Sequence, residues 1–312
     1  MLKSWRAALF LVIFTMLGAM VSACGNTDAS SGPATGSGGS SSSSSSSSSG
    51  GLQCVQGTLQ VTGSTALQPL AKAVATQYQS KCNGANITVG GGGSSTGLQH
   101  AQDGSSGIGN SDVFADKIRY PGLVDNQVAV VVFSVVINSK VTGVTNLTSA
   151  QLKAIYTGQV KNWQQLGGPN LQIVPVSRPA GSGTRLTFEQ YILGTKEALS
   201  GNPVAASSGE VAKTVQQTDG AVSYVATAYA KQNGLTTIKI DGVDDSNANV
   251  QNNSYKFWNI EHMYTKGDAS GLAKAFIDYV KSPAMTKIRQ QQGFLDITTM
   301  SQAAIAAKTP KS

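Results

Sequence analysis

Three turns of this chain place glycine, serine and threonine where a helix begins: Gly63-Ser64-Thr65-Ala66-Leu67, Gly93-Ser94-Ser95-Thr96-Gly97 and Gly181-Ser182-Gly183-Thr184-Arg185. The first turn of a helix exposes unpaired backbone N–H groups and the positive end of its dipole, and hydroxyl side chains add donors, so each turn can hold an anion. Serine and threonine are also ordinary helix caps, and one such turn alone would mean no more than that. Here there are three, with Arg178 just ahead of the third and Asp112 placed 18 residues after Ser94. A guanidinium offers fixed charge and a planar fork of donors. A carboxylate offers only acceptors, which an anion can use if it carries a proton of its own. Alternatively, Arg178 and Asp112 form a plain surface or interlobe salt bridge.

Other chemistries fit less well. Gly93-Ser94-Ser95-Thr96-Gly97 also matches the G-x-S-x-G nucleophile elbow, and Asp112 and His262 would complete the chain order Ser, Asp, His for a serine hydrolase acting through Ser95. That match comes cheaply in a Gly/Ser-rich chain, falls at the second expected strand, has no oxyanion-hole motif ahead of it, and leaves the other two turns without a role. His100 and His262 read as surface or structural residues. No G-x-x-x-x-G-K-[ST] loop is present. With 2 His and 3 Cys there is too little ligand chemistry for a dedicated transition-metal site, and no cofactor is implied. Charged residues make up 12% of the chain and hydrophobic ones 40%, which argues against a highly charged disordered polymer. The net charge of +7 includes Lys3 and Arg6 of a targeting segment, and the remaining basic residues are scattered, so no nucleic-acid partner is expected.

The elements that must position these turns begin after that targeting segment. Lys3 and Arg6 precede an apolar run, Ala7 to Val21, too short to span a bilayer comfortably. It ends in Val21-Ser22-Ala23-Cys24, which resembles a bacterial lipobox. Residues 1–23 are therefore expected to be a lipoprotein signal peptide, and Cys24 to carry diacylglycerol and an acylated amine that anchor the protein to a membrane outside the cytoplasm. Residues 24–51 are dominated by Ser and Gly, with unbroken serine from Ser40 to Ser49. Such a linker has no core and reaches roughly 25–30 Å. From Leu52 onward strand-like runs (58–62, 87–89) alternate with helical patterns (67–78, 96–102), as in βαβ units. The run 126–138 reads as a strand buried on both faces, and further helices are expected at 149–156, 185–193, 209–218 and 269–281.

In the order and spacing of Gly63-Ser64-Thr65, Gly93-Ser94-Ser95-Thr96-Gly97, Asn110-Ser111-Asp112 and Arg178-Pro179-Ala180-Gly181-Ser182-Gly183-Thr184, the chain resembles the phosphate-binding proteins of ABC phosphate importers. The likeness runs from about Leu59 to Ile297. It includes Asn146 to Leu152 through Asn162-Trp163, Gly220-Ala221-Val222-Ser223-Tyr224 and Met263-Tyr264-Thr265-Lys266-Gly267. It implies a two-lobed α/β periplasmic-binding-protein fold, type II-like, with two crossings between lobes near 131–138 and 255–264. Lobe 1 would be 52–137 with 255–312, and lobe 2 would be 138–254. It also implies inorganic phosphate as ligand, ABC permease subunits as partners, and no catalysis. The implied phosphate ligands are Ser64, Thr65, Ala66 through its N–H, Ser94, Asp112, Arg178, Ser182, Gly183 and Thr184. Asp112 would favour phosphate, which keeps a proton at neutral pH, over fully ionised sulfate. Another oxyanion is the nearest alternative ligand.

At one place the pattern departs from the family. Some members have an aspartate two residues after the arginine to brace it, and here that residue is Ala180, so Arg185 is expected to add positive charge or pair with Asp112. With Cys24 given to lipid, Cys54 and Cys82 remain as an even pair in an extracytoplasmic segment. Cys54 precedes the first strand and Cys82 follows the first helix. If the first two strands are parallel neighbours, both cysteines lie at one end of the sheet and can form a disulfide.

Overall fold

The computed structural model describes residues 52–310. The expected signal peptide 1–23, the lipid-bearing Cys24 and the linker 24–51 lie outside the described residues. Six strands and four helices lead into and through the first half of the chain. They are β1 (Gly57–Gly63), α1 (Gln68–Lys81), β2 (Ala85–Gly92), α2 (Ser94–Asp103), β3 (Ile108–Ser111), β4 (Leu123–Ile137), β5 (Asn146–Leu147), α3 (Ser149–Tyr156) and, after the short strand β6 (Val174–Pro175), α4 (Gly183–Phe188). The remainder comprises α5 (Ser208–Gln217), β7 (Ala221–Ala226), α6 (Thr227–Gln232), β8 (Thr236–Ile240), α7 (Asn247–Gln251), β9 (Trp258–Lys266), α8 (Gly271–Lys281), α9 (Thr286–Gln291), β10 (Phe294–Leu295) and α10 (Gln302–Lys308).

The strands hydrogen-bond in the order β2-β1-β3-β9-β4-β7-β6, with β8 and β10 also pairing β4 and β5 pairing β8. β1 runs parallel to β2 and β3, as the βαβ reading of the sequence requires, and β9 returns antiparallel between β3 and β4. Helix α1 lies against this parallel group through Leu70, Ala71, Val74, Ala75 and Tyr78, a spacing that keeps one face of a 3.6-residue repeat apolar. Tyr78 meets Phe276 and Tyr279 of α8 edge-on and donates its hydroxyl to the carbonyl of Gln53, fixing the segment that enters β1.

β4 belongs to both halves of the molecule. From Leu123 to Val132 it pairs with β9, and from Phe133 to Ile137 it pairs with β7 and β8 instead. It is buried without interruption from Val128 to Ile137, because neighbours cover both faces there. At the changeover Phe133 N–H donates to the carbonyl of Phe257 at 3.0 Å, and the Tyr255 hydroxyl donates to the carbonyl of Phe133 at 2.7 Å. The aromatic rings of Phe133, Phe257, Phe188, Tyr224 and Tyr156 pack together beside these bonds, tying α3, α4 and β7 to the crossing strands.

One local feature differs from the sequence expectation, and one expected crossing takes the form of a strand. The helix expected over 185–193 starts earlier, at Gly183, and from Glu189 to Leu193 widens into a π-turn that ends at Gly194 in the left-handed region. The second crossing expected near 255–264 is largely the strand β9 itself, buried from Trp258 to Thr265 despite Asn259, Glu261 and His262 in its middle. Among the described residues no helix is long and apolar enough to cross a membrane.

Cys54 and Cys82 are disulfide-bonded across a separation of 28 residues, with Gly57 and Ala85 as parallel partners just beyond them. A loop of that length, left open in the unfolded chain, is worth about 3–4 kcal/mol in the chain-entropy model. The double variant Cys54→Ser/Cys82→Ser is expected to lose about that much stability in urea unfolding, with an unchanged secondary-structure spectrum. A loss below about 1 kcal/mol would mean that the Tyr78 contacts, not the crosslink, hold this corner.

Candidate anion-binding site

The three turns singled out in the sequence meet at one place between the two halves, at the starts of α1, α2 and α4, and the start of α5 joins them. The first turn follows β1, where Gly63 has φ +130° and a Cβ would lie 2.1 Å from the carbonyl oxygen of Asn110, so only glycine fits. Ser64 N–H donates to that same carbonyl at 2.9 Å. Its Oγ accepts from Ala66 N–H and Leu67 N–H at 3.1 and 3.0 Å. The Ala66 N–H, expected as a ligand donor, is thus bonded to Ser64 in this structure.

The second turn opens α2 from Gly93. Ser94 Oγ accepts from Asp112 N–H at 3.0 Å, which anchors the carboxylate-bearing residue to the start of the helix. Gly97 packs so closely that a Cβ there would meet the Asn110 oxygen at 2.3 Å and the Gly63 Cα at 2.9 Å. The glycines of the first two turns therefore let α2 lie directly on β1 and β3.

The third turn comes from the other half. Ser182 caps α4 by accepting from Arg185 N–H at 3.3 Å, so its hydroxyl serves as an ordinary cap here. Thr184 Oγ1 donates to Asp112 Oδ2 at 3.1 Å. Gly183 fits against Ser94 and Asp112, where a Cβ would lie 2.2 Å from Ser94 Oγ and 2.7 Å from Asp112 Cβ. Ser95 N–H bonds the carbonyl of Gly181 at 3.0 Å, a backbone link between the second turn and the third.

Arg178 reaches the same centre. Its Nε donates to the carbonyl of Ala205 at 2.9 Å and its Nη2 to Thr65 Oγ1 at 3.2 Å. Thr65 in turn accepts from Ser208 N–H at 3.2 Å and lies 3.1 Å from Ser208 Oγ. Arg178 is 1% and Asp112 2% exposed, so water does not solvate either charge. Burial lowers the Arg178 pKa, though the neighbouring Tyr224 and Asp112 oppose this, and the guanidinium stays charged because its ordinary value is so high. Burial raises the Asp112 pKa, opposed by the nearby Ser64 and Thr184 hydroxyls and by the Arg178 charge. Arg178 Nη1 and Asp112 Oδ1 have no hydrogen-bond partner despite being buried. One donor of fixed positive charge and one acceptor are thus left without partners among the hydroxyls and helix starts, a pairing suited to an anion that brings a proton.

Arg185 does not pair with Asp112. It bonds Glu189 at 2.9 Å, lies 3.6 Å from Glu197, and donates through Nη1 to the carbonyl of Arg178 at 2.8 Å. The i, i+4 spacing to Glu189, the residue directly after α4, draws it away from the centre, and it braces the Arg178 backbone instead. The support that an aspartate at 180 would give Arg178 comes from the Ala205 carbonyl. Ser208 was not foreseen, although Ser207-Ser208 directly before the expected helix 209–218 is itself a cap signal. Nor does a hydrolytic triad assemble: His262 Nδ1 lies 2.7 Å from Asp125, while Asp112 is engaged by Thr184 and Ser94.

Residues 48–284 match a family model described as a PBP superfamily domain. The phosphate-binding protein PstS of Bacillus subtilis is 40% identical over 296 residues, covering 94% of this chain and 93% of its own. PstS of Borreliella burgdorferi is 25% identical over 254 residues, covering 77% and 90%. Among solved structures, a protein from Clostridium perfringens described as a phosphate ABC transporter substrate-binding protein, with bound phosphate, superposes with a TM-score of 0.73 at 31% identity. It matches 77% of this chain and 100% of its own. An ABC-type phosphate transport receptor from Vibrio cholerae, with TM-score 0.63 at 24% identity over 76% of this chain and 99% of its own, shares the fold.

The contact of Gly183 with Ser94 and Asp112 makes a sharp expectation. Gly183→Ala leaves no room for the two halves to meet, so in the presence of the anion it should give a larger radius of gyration in small-angle X-ray scattering than the parent chain. An equal radius would show that α4 shifts to admit the methyl group.

Proposed function

The chain belongs to the PstS family of phosphate-binding proteins within the PBP superfamily, and from that premise we propose that it binds inorganic phosphate between its two lobes and delivers it to an ABC importer. The observation that carries this reading is the pairing of leftovers in the buried centre: Arg178 Nη1 as donor and Asp112 Oδ1 as acceptor. Phosphate at neutral pH needs both, since its ionised oxygens take donors while its P–OH must find an acceptor. Ser64, Thr65, Ala66 N–H and Ser94 would serve it from one lobe, with Asp112 as acceptor, and Arg178, Ser182, Gly183 and Thr184 from the other. Ser64 and Ser182 would exchange or share their capping bonds on binding.

The lobes are proposed as 52–137 with 255–312 and as 138–254, with the end of β4, Phe133–Ile137, reaching across to pair with β7 and β8 of the second. Contacts that exist only when both meet, such as Thr184 to Asp112, would favour the closed form once the anion is in place. Membrane attachment through Cys24, an extracytoplasmic site of action and docking to permease subunits belong to the same proposal. They are supported by the lipobox-like tetrapeptide and the Ser/Gly linker. A related oxyanion is the second reading, favoured only if the acceptor proves dispensable.

Calorimetry with phosphate, sulfate and molybdate tests the assignment. Micromolar or tighter phosphate binding requires about 8 kcal/mol, within reach of several charge-assisted hydrogen bonds. Asp112→Asn should weaken phosphate or narrow its advantage over sulfate, and unchanged affinities for both ions would remove Asp112 from the site. Arg178→Ala should raise the phosphate Kd by roughly a hundredfold or more, because it removes the buried positive charge. Normal binding accompanied by a large loss of stability would instead make that arginine a structural ion-pair partner.

A further inference from the structure

β9 carries a second carboxyl group next to Asp112 that the phosphate reading does not use. β3 and β9 are antiparallel partners with Gly109 opposite Tyr264, Asn110 opposite Met263 and Ser111 opposite His262. One step further in this register, Asp112 faces Glu261, at the separation where cross-strand side chains interact. Glu261 is wholly buried, and neither of its carboxyl oxygens has a hydrogen-bond partner.

An ionised carboxylate in that position would have lost its water and gained no donor, which is among the costliest arrangements a fold can contain. Nor does any nearby group compensate it. Across β4 the residue opposite is Ala129, and the neighbours on the same side of β9 are Asn259 and Met263. Thr187 of α4 is engaged by Asn259, and His100 of α2 by Thr62. Arg185 is held by Glu189 and Glu197, and His262, on the other face of β9, by Asp125. The Arg178 charge acts on Asp112 and is not among the influences on Glu261. Two facing carboxyl groups sharing one low-dielectric space hold one proton between them. Asp112 has the Thr184 hydroxyl and the Arg178 charge to stabilise its ionised form, whereas Glu261 has neither.

We propose that Glu261 is a specificity-setting residue that positions and tunes Asp112: it holds the proton of the pair and donates it in a hydrogen bond to the Asp112 carboxylate, keeping Asp112 an ionised acceptor. In agreement, burial, followed by the Asp112 charge, pushes the Glu261 pKa well above the ordinary carboxylate range. Without this donor, burial would drive Asp112 to take up a proton itself. It would then offer an O–H to the ligand, which sulfate can use and a P–OH does not need. The selectivity of the site thus depends on a neutral acid one residue removed from the anion.

The inference on selectivity rests on the phosphate reading, but the protonation state does not, so the two can fail separately. Infrared difference spectra of the protein without added anion should show the C=O stretch of a protonated carboxylic acid that Glu261→Gln removes. Between roughly pH 5 and pH 7 the melting temperature of the parent should fall relative to Glu261→Gln. The reason is that the folded state keeps a proton that the unfolded chain gives up above its ordinary pKa, and that excess makes stability decrease as pH rises. In calorimetry, Glu261→Leu should cut the phosphate-over-sulfate preference by about tenfold or more, and Glu261→Gln, which keeps a neutral donor in place, should restore most of it. No lost acid band in Glu261→Gln overturns the proposal even if Glu261→Leu fails to fold. So does a leucine variant with the parent's preference, or a glutamine variant as impaired as leucine. A parent protein that ignores phosphate but shows the band refutes the phosphate reading while leaving the protonated acid in place.

Discussion

The antiparallel pairing of β4 with β9 is the interaction on which the rest of the molecule depends. These strands run through the first lobe side by side, and where their pairing ends β4 goes on to β7 and β8 in the second. Everything that meets in the cleft is referred to this pair. β3 lines up on β9 and so sets the position of Asp112, while the aromatic cluster around Phe133 and Phe257 seats α4 and β7 against the crossing. A shift of one residue in β9 would turn Glu261 and His262 to opposite faces, putting a bonded imidazole where the acid now faces Asp112.

Burial at the centre disfavours both of its charges, raising one pKa and lowering the other, and the neighbours decide the result. It disfavours ionisation of Asp112 and also weakens the hold of Arg178 on its proton, yet the guanidinium has so much reserve that it remains a cation. The surrounding residues are concerned mainly with the carboxylate: the Ser94 hydroxyl on its N–H, the Thr184 hydroxyl on its carboxylate, and Glu261 facing it. Hydrogen bonds here matter less for holding the fold together than for fixing which partner carries a proton.

Much of this was legible in the sequence, for definable reasons. The glycines and hydroxyl residues at 63–67, 93–97 and 181–185 sit where local chemistry alone dictates a turn into a helix, and helix α3 keeps the expected bounds because Thr148 and Gln151 form a capping box. β4 announced itself by its apolar run. β9 did not, because Asn259, Glu261 and His262 interrupt the pattern by which a buried strand is read, and their burial depends on partners far away in the chain. The same is true of Arg185. Its choice of Glu189 and Glu197 over Asp112 follows from where α4 points, and the π-turn that brings Glu197 back toward Ser177 and Tyr224 has no local sequence signal.

The bond from Ser95 N–H to the carbonyl of Gly181 is made by backbone atoms alone. No side-chain atom takes part in it, so this link between the lobes asks of residue 95 only that it keep its N–H, which every residue but proline does. What it does not admit freely is bulk at residue 181, where a methyl group would come within 3.0 Å of the Ser95 side chain. The fastening thus asks for an N–H on one side and for the absence of bulk on the other.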